Sequence, residues 1–499
     1  MKFSNICSGF IKALTLASFI IVASCSKDVV PPVDPDPDPP VNNDPSKIFN
    51  PATDNIVVNH ELRAAWLTTA WGLDWPAGTT GATAQKAALV SMIDRLKDLN
   101  INVIYFQVRC SSDAFYQSTI SPWSSYLTGT QGVDPGFDPL QTAIEEAHKR
   151  GIELHAWMNP YRIGTTTQYY APGHPALLHP DWYVTFEGSR YWNPGMPEVR
   201  NHIKNVVKEV VDNYDIDGIH FDDYFYPSGA KSTSDPYKFN DKAQYDQYNA
   251  GMTLDKWREF NIDELVKGVS QTIKASKEDV IFGISPSGRI ENALALYANP
   301  LTWLQNGWID YLAPQIYWEI GHSTADFDRL ARYWNTNSFS KPIFPGVAAY
   351  KFGDSQYPAY ASMTQFYNQV ELCRSLPNIK GVCWYRSQNI LGSSFASYLL
   401  STIYPSMSLV PEMGTKQYTV PGTPAITNVS NTINWSAASN ATSYAVYELK
   451  RRGTSGTWDA VARQIGTQLT FNGSAQKNYI VIAVNGRKTS ALSNVLYIQ

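Results

Sequence analysis

Two acidic residues, Asp222 and Glu319, each end a short run of β-type sequence. Side chains in a strand alternate between its two faces, so Asp222 shares a face with His220. By the same alternation, Gln315, Tyr317 and Glu319 share one face of their own run. Cleavage of a glycosidic bond requires two carboxylates in one cavity, because one protonates the leaving oxygen while the other attacks the anomeric carbon or activates water. The pattern therefore predicts acid–base chemistry on sugars, with Asp222 and Glu319 as the catalytic pair.

Polar and aromatic side chains also gather at the ends of the other β-type runs. The predicted substrate-binding residues are Arg63, Trp66, Gln107, Arg109, His155, Trp157, Asn159, Tyr161, Arg162, His220, Tyr224, Arg289, Gln315, Tyr317, Trp318 and Trp384. Trp318 and Trp384 offer ring faces on which sugars can stack. Arg109 and Arg289 offer hydrogen bonds to hydroxyls or acidic groups. A single polar residue at a strand end is an ordinary cap, but a polar or aromatic residue at seven of eight ends favours a binding site.

The elements that must position these residues alternate between β-type and helical patterns. The β-type runs are residues 62–68, 102–108, 152–157, 218–222, 280–285, 311–317, 343–348 and 381–384, and the helical runs are 83–99, 140–150, 196–214, 254–275, 300–306, 325–334, 362–376 and 395–404. Eight βα units in one stretch predict a (β/α)8 TIM barrel over residues 55–405, in the α/β class. An open doubly wound sheet is the alternative, but residues 70–73 are not the Gly-rich phosphate turn that it needs.

Four motifs of this region resemble the glycosyl-hydrolase-like 10 family, a group of bacterial exported barrel proteins distantly related to the α-amylase and α-galactosidase clans. They are ELRAAW at 61–66, HAWMNPYR at 155–162, DGIHFDDYFYP at 217–227 and APQIYW at 313–318. The resemblance implies that Asp222 is the nucleophile and that the substrate is a cell-wall or related polysaccharide. It leaves Asp223 open, either as a support for Asp222 or as the reacting group. The clan's pattern for the general acid is less recognisable around Glu319.

The N-terminal sequence predicts export and a lipid anchor. Lys2 and Lys12 flank an apolar stretch, 14–23, which suits a signal peptide but is too short to span a bilayer. Small residues then precede Cys25, as in a bacterial lipobox, which implies a signal peptide over 1–24 and acylation of Cys25. The alternative is an ordinary signal peptide with an incidental cysteine. Residues 25–52 are rich in Pro and Asp and predict a stiff tether, so the expected location is the bacterial cell envelope, at the periplasmic or surface face of the outer membrane.

The chain changes character after Pro405. Residues 415–499 contain only β-type runs, which predict a small immunoglobulin-like sandwich. Trp435 and Tyr479 are placed as in a fibronectin type III domain, and the resemblance implies a spacing or packing module more than a sugar-binding one. Because prolines separate this tail from the barrel, a chain that ends near Ser406 is expected to fold.

Composition narrows the function further. A net charge of −4 gives no field for a polyanion, so nucleic acid is not expected as a partner. Cys110, Cys373 and Cys383 form no CxxC or Cys/His cluster, so neither a metal nor another cofactor is predicted. Two alternatives remain. One is a metal-dependent polysaccharide deacetylase, for which the spacing of His174 and His179 is wrong, and the other is a glycan-binding lipoprotein without turnover.

Overall fold

A computed structural model describes residues 47–499. The predicted signal peptide, Cys25 and most of the predicted tether lie outside these residues, so the structure does not test them. Within the described residues, no helix combines the length and the apolar character needed to cross a membrane.

Eight parallel strands form one sheet in the order of the sequence. They are β1 Leu62–Leu67, β2 Val103–Arg109, β3 Glu153–Met158, β4 Gly218–Phe221, β5 Ile281–Ile284, β6 Tyr311–Leu312, β7 Gly346–Val347 and β8 Gly381–Trp384. β8 pairs with β1, and the chain after β6 closes the ring through the bridges Leu312–Ile343 and Gln315–Gly346. This closed parallel sheet confirms the predicted barrel. β6 is regular over two residues only, and is therefore much shorter than the predicted run.

Helices surround the sheet, and all but Lys242–Tyr248 bury at least one residue in the protein. They are α1 Ala82–Asp98, α2 Ser125–Thr128, α3 Pro139–Lys149, α4 Pro175–Leu178, α5 Pro197–Asn213, α6 Lys242–Tyr248, α7 Leu254–Ser276, α8 Ile290–Ala295, α9 Pro300–Gln305, α10 Phe327–Thr336, α11 Thr364–Ser375, α12 Ser387–Ile390 and α13 Ser393–Tyr398. In α5, Pro197 opens the first turn, and Val199, Ile203, Val206 and Val210 are buried at helical spacing. Between β3 and α5, the strands Arg162–Thr165, Tyr183–Phe186 and Ser189–Trp192 form a small antiparallel sheet.

A two-sheet β-sandwich follows the barrel, as predicted. Its strands are β9 Ile426–Val429, β10 Thr432–Trp435, β11 Ser443–Arg451, β12 Thr457–Gly466, β13 Thr470–Asn472, β14 Lys477–Asn485, β15 Lys488–Thr489 and β16 Leu496–Ile498. β9, β10 and β13 form one sheet, and the other strands form the second. Trp435 and Tyr479 are both buried in the core between the sheets. The more specific likeness to fibronectin type III stays a prediction.

The predicted domain boundaries need one correction. The strand Asn55–Val57 pairs in parallel with β12, so it belongs to the sandwich and not to the barrel. The preceding residues also lie on the sandwich: the Phe49 ring packs edge-on against Trp458 at 6.1 Å, and Asn478 hydrogen-bonds the backbone at Lys47 and Phe49. Residues 47–57 therefore belong to the folded body and not to the tether. Their strand, Asn55–Val57, is part of the C-terminal sandwich.

The sandwich and its connection to the barrel cover the amino-terminal end of the barrel. Glu61 donates its backbone N–H to Leu409, and the Asn102 amide donates to Ser408 at 3.0 Å. Val410 and Met413 pack against the residues that fill the barrel interior. The Arg487 guanidinium, which follows β14, pairs with Glu153 of β3 at 2.9 Å. These contacts oppose the prediction that the barrel folds without the tail.

Candidate active site

Asp222 follows β4 at the carboxyl-terminal end of the barrel. Ile219 and Phe221 pack in the outer core beneath the helices, so the alternation turns His220 and Asp222 inward. The Trp157 indole donates to Asp222 Oδ2 at 3.0 Å, whereas Oδ1 has no hydrogen-bond partner within the described chain. The carboxyl group is therefore buried, held at one oxygen and free at the other.

Burial raises the pKa of Asp222 to about 7, and the neighbouring Asp223 carboxylate adds to the effect. The Arg162 guanidinium and the Trp157 indole oppose it by favouring the ionised form. Burial also raises the pKa of Asp223, against the Gln315 side chain and Arg162. Two adjacent acidic groups under a single cation hold a proton near neutral pH, which is a property of acid–base sites.

Regular pairing in β6 ends at Leu312, yet Gln315 and Tyr317 beyond it still lie near Asp223, as the alternation predicted. Glu319 follows them in the loop after β6. Its backbone carbonyl accepts from Phe327 at 3.1 Å, and its carboxylate acts on Lys351, raising a pKa that burial lowers. Among the described residues, no hydrogen bond joins Glu319 to Asp222 or Asp223, so the role of Glu319 as the second catalytic carboxylate stays a prediction.

Several predicted binding residues do surround the two aspartates. Arg162 acts on both carboxylates, and its guanidinium lies 4.5 Å from the centre of the Tyr224 ring. The Gln315 amide donates to the Ser285 carbonyl at 2.9 Å and hydrogen-bonds Asp223. Burial raises the pKa of the Tyr317 hydroxyl, and the Asp223 carboxylate is among the nearby groups that add to this effect. Trp157, Arg162, Tyr224, Gln315 and Tyr317 therefore line one cleft around the two aspartates, whereas Trp66 is buried against His220 and Tyr385.

Trp384 does not face this cleft, so that prediction is wrong. Its ring lies on the outer face of β8, packs against Phe395, and donates from Nε1 to the Tyr404 hydroxyl at 3.1 Å. The next residue, Tyr385, takes the inner face, with its ring 5.5 Å from Tyr317 and 6.0 Å from Trp66. Period-two alternation carried one residue further along β8 would have found Tyr385.

The predictions that Arg63 and Arg109 bind substrate are also wrong. Arg63 stands at the amino-terminal end of β1, where it pairs with Glu61 at 2.8 Å, so it lies at the opposite end of the barrel. Arg109 follows an irregularity in the pairing of β2 with β3, which interrupts the alternation. Its guanidinium is buried and donates to Ser121 at 3.0 Å beneath the loop that follows β2.

The two predicted histidines fill the barrel interior and do not reach its surface. Trp66 donates to His220 Nε2 at 3.1 Å, and His220 Nδ1 lies 2.8 Å from the Tyr311 hydroxyl. His155 Nδ1 lies 3.0 Å from the same hydroxyl, and its Nε2 lies 3.4 Å from Glu153. Burial lowers the pKa of His220 well below its ordinary value. Both side chains therefore support the floor of the cleft from below.

The remaining predicted binding residues have structural contacts. Gln107 accepts the backbone N–H of Ala70 at 2.8 Å, and Asn159 accepts that of Arg162 at 2.9 Å. Tyr161 is buried, Arg289 lies 3.5 Å from Glu291, and Trp318 is half-buried against the outer core. A further cleft residue, Trp71, has no signal in the sequence beyond its position in the loop after β1.

No group of three or more His, Cys, Asp or Glu side chains among the described residues is arranged to hold a metal ion. His174 and His179, whose spacing is wrong for a deacetylase, have other contacts. His174 caps α4 by accepting from Ala176 at 3.0 Å, and His179 stacks on Trp182 at 3.7 Å. These two histidines are therefore engaged in structural contacts in the described part of the chain.

Comparisons with known proteins agree with this architecture. A family model described as Glycosyl hydrolase-like 10 matches residues 61–362. The protein is 39% identical over 408 residues to the glycosyl hydrolase YngK of Bacillus subtilis (strain 168), covering 76% of this chain and 79% of that protein. It is 35% identical over 370 residues to the glycosyl hydrolase DigH of Escherichia coli (strain K12), covering 65% of this chain and 82% of that protein.

Among solved structures, the glycoside hydrolase domain of PgaB (BpsB) from Bordetella bronchiseptica is 14% identical, with a TM-score of 0.45, and covers 68% of this chain and 98% of that domain. The family match spans more than half of the chain and includes both aspartates of the cleft. The chain therefore belongs to the glycosyl hydrolase-like 10 family.

Proposed function

We propose that the protein is a glycoside hydrolase that cleaves a bacterial cell-wall or related polysaccharide at Asp222. The observation that carries the proposal is the state of this carboxyl group, which is buried at the barrel's carboxyl-terminal end, has a free Oδ1, and has a pKa of about 7. A carboxyl group with such a pKa can hold a proton at neutral pH and deliver it to a leaving oxygen. The names of its relatives, glycosyl hydrolases, support the same reaction class.

Within this proposal, the protonation state favours Asp222 as the group that carries the proton. Asp223 would then be the partner that stabilises positive charge at the anomeric carbon or activates water, and Gln315 and Arg162 favour its ionised form against the effect of burial. The likeness to the α-amylase clan implies the reverse role, with Asp222 as the nucleophile. Glu319 stays the alternative acid, as the sequence pattern predicted.

The proposed location follows from the part of the chain that precedes residue 47. A signal peptide over 1–24, acylation at Cys25 and a Pro/Asp-rich tether would hold the enzyme at the cell envelope, where a cell-wall glycan is its neighbour. The C-terminal sandwich would then serve as a packing module at the base of the barrel, in keeping with its ion pair to Glu153. Glycan is the proposed partner, and nucleic acid is not expected.

Incubation of the full chain with a panel of cell-wall and host glycans, followed by mass spectrometry of the products, tests this proposal. We expect new reducing ends from a cell-wall glycan, and loss of the product in Asp222→Asn at unchanged melting temperature. Acetate release without new reducing ends would identify a deacetylase instead. Binding without any product would identify a glycan-binding lipoprotein.

A further inference from the structure

Trp71 is the single exposed tryptophan of the 15 in the chain, all of which lie in the described residues. Its side chain is 67% exposed, and its backbone lies in the left-handed region at φ 54°. A bulky residue in this region is uncommon and carries a strain cost, so a surrounding structure must hold it there. A large apolar ring that is held in solvent at this cost indicates a role in binding a ligand.

The loop that carries Trp71 is fixed on both sides. Before it, the Gln107 side chain accepts the backbone N–H groups of Thr69 and Ala70 at 3.0 and 2.8 Å. After it, Asp74 accepts from the Thr68 backbone at 2.8 Å and pairs with Arg386 at 2.6 Å. The ring is therefore presented by a rigid loop, and little ordering entropy is lost when a ligand stacks on it.

Arg162 lies between the Trp71 ring and the two aspartates. The Arg162 guanidinium lies 5.3 Å from the Trp71 ring centre and 4.5 Å from that of Tyr224, whose side chain is 43% exposed. Arg162 Nε and Nη2 donate to the Cys110 carbonyl, while Nη1 has no hydrogen-bond partner within residues 47–499. The same guanidinium acts on Asp222. An aromatic face, a free cationic donor and a second aromatic face thus lead to the buried carboxyl group.

We propose that Trp71, Arg162 and Tyr224 form a sugar-binding subsite beside Asp222. One pyranose ring of a glycan chain stacks its apolar C–H face on the Trp71 indole, and Arg162 Nη1 donates to an oxygen of that ring or of its substituent. The subsite rests on the proposed function, since it assumes that the ligand of the cleft is a glycan. It gives the cleft a binding position for a sugar other than the one at Asp222, so the substrate class is a polysaccharide chain.

The test measures binding of the full chain to glycan strands purified from bacterial cell wall, in an Asp222→Asn background that prevents turnover. Because Trp71 is the exposed tryptophan, acrylamide quenches it preferentially, and bound glycan should protect it. We expect Trp71→Ala to weaken binding about tenfold and to abolish the protected signal, while Trp71→Phe retains most of the affinity. Arg162→Met should also weaken binding.

Phe339→Ala is the matched control. Phe339 is likewise aromatic, 45% exposed and at positive φ, but it lies in the loop that enters β7, at the other end of the barrel. Equal affinity of the Trp71→Ala and Phe339→Ala proteins, or no binding of the glycan by the Asp222→Asn protein, would overturn the subsite. Trp71-dependent binding without cleavage by the wild type would overturn the proposed function and leave the subsite standing.

Discussion

The Arg487 guanidinium of the C-terminal sandwich lies 2.9 Å from the Glu153 carboxylate at the start of β3. The Arg487 side chain is 7% exposed and that of Glu153 is 19% exposed, so water screens the pair only weakly. Glu153 also lies 3.4 Å from His155, whose other ring nitrogen meets Tyr311. From Tyr311 the hydrogen bonds continue through His220 to Trp66. Arg487 of the sandwich therefore carries the charge at one end of a hydrogen-bond chain that runs through the barrel interior.

Arg487→Met should destabilise the whole protein. It leaves the Glu153 carboxylate buried without its cation, and removing one partner of a buried pair costs about 3–5 kcal/mol. Chemical denaturation measures this free energy of unfolding. Arg452→Met is the control, because Arg452 pairs with Asp459 at the protein surface, and we expect little change there.

The pH dependence of the same pair has a defined sign. Burial alone would raise the pKa of Glu153, but Arg487 and His155 together lower it to about 2 from an ordinary value of 4.5. Between about pH 4.5 and 2, Glu153 stays ionised in the folded protein but takes up a proton in the unfolded chain. The stabilisation by the Glu153–Arg487 pair is therefore complete above about pH 4.5 and is lost as pH falls towards 2. Arg487→Met should lose this acid-dependent component. Parallel stability curves for the two proteins would contradict the assignment.

A chain truncated after Ser406 should not melt cooperatively. The truncation removes the Leu409 carbonyl that accepts from Glu61, the Met413 side chain under the barrel interior, and Arg487. Differential scanning calorimetry of the truncated and full chains measures the loss. A truncated barrel that melts at an unchanged temperature would restore the separable-tail hypothesis derived from the prolines.

The raised pKa of Asp222 predicts a descending limb in the pH profile of the enzyme. If this group donates the proton, kcat/KM should fall above about pH 7, where the carboxyl group ionises.

The raised pKa of Asp222 also predicts that the protein becomes less stable as pH rises. The folded state holds a proton between the ordinary pKa of 3.8 and about 7, so the free energy of unfolding falls as pH rises through that window, by on the order of 4 kcal/mol in all. Asp222→Asn should remove the Asp222 contribution to this slope, and urea titrations of both proteins at pH 4, 6 and 8 measure the difference.

Three variants separate the roles of the carboxylates. If Asp222 is the nucleophile or base, Asp222→Asn should lose several orders of magnitude in turnover on every substrate, with the fold intact. If Glu319 is the general acid, Glu319→Gln should fail on poor leaving groups yet cleave an activated aryl glycoside, which needs little protonation. If Asp222 carries the proton instead, that pattern should appear in Asp222→Asn, with Glu319→Gln near normal on both substrates. An inactive Asp223→Asn beside a nearly normal Asp222→Asn would move the assignment by one residue.

Cys25→Ala tests the proposed anchor. Acylation needs the cysteine thiol, so the variant should leave the membrane fraction or remain unprocessed, as cell fractionation and immunoblotting would show. Cys110→Ala is a control with an unaffected leader, since Cys110 is buried in the barrel. Membrane retention of processed Cys25→Ala would contradict the lipoprotein hypothesis.

The sequence by itself determined the barrel and the inward direction of β4. Eight alternating units allow few closed arrangements, and Ile219 and Phe221 need an apolar layer, which forces His220 to the other side. The same local rule failed where strand pairing was irregular, because the irregularity in the pairing of β2 with β3 displaced Arg109 from the predicted face.

Only the tertiary structure decided which residues meet across distant parts of the chain. No periodicity links Asn55–Val57 to β12, Glu153 to Arg487, or Trp71 to Arg162, because each contact joins segments that are far apart in sequence. The pKa of Asp222 belongs to the same class, since it depends on burial and on charges from other strands. The alternation of residue types along a strand specifies the face on which a side chain lies. The packing of segments that are distant in sequence specifies which residues that side chain contacts.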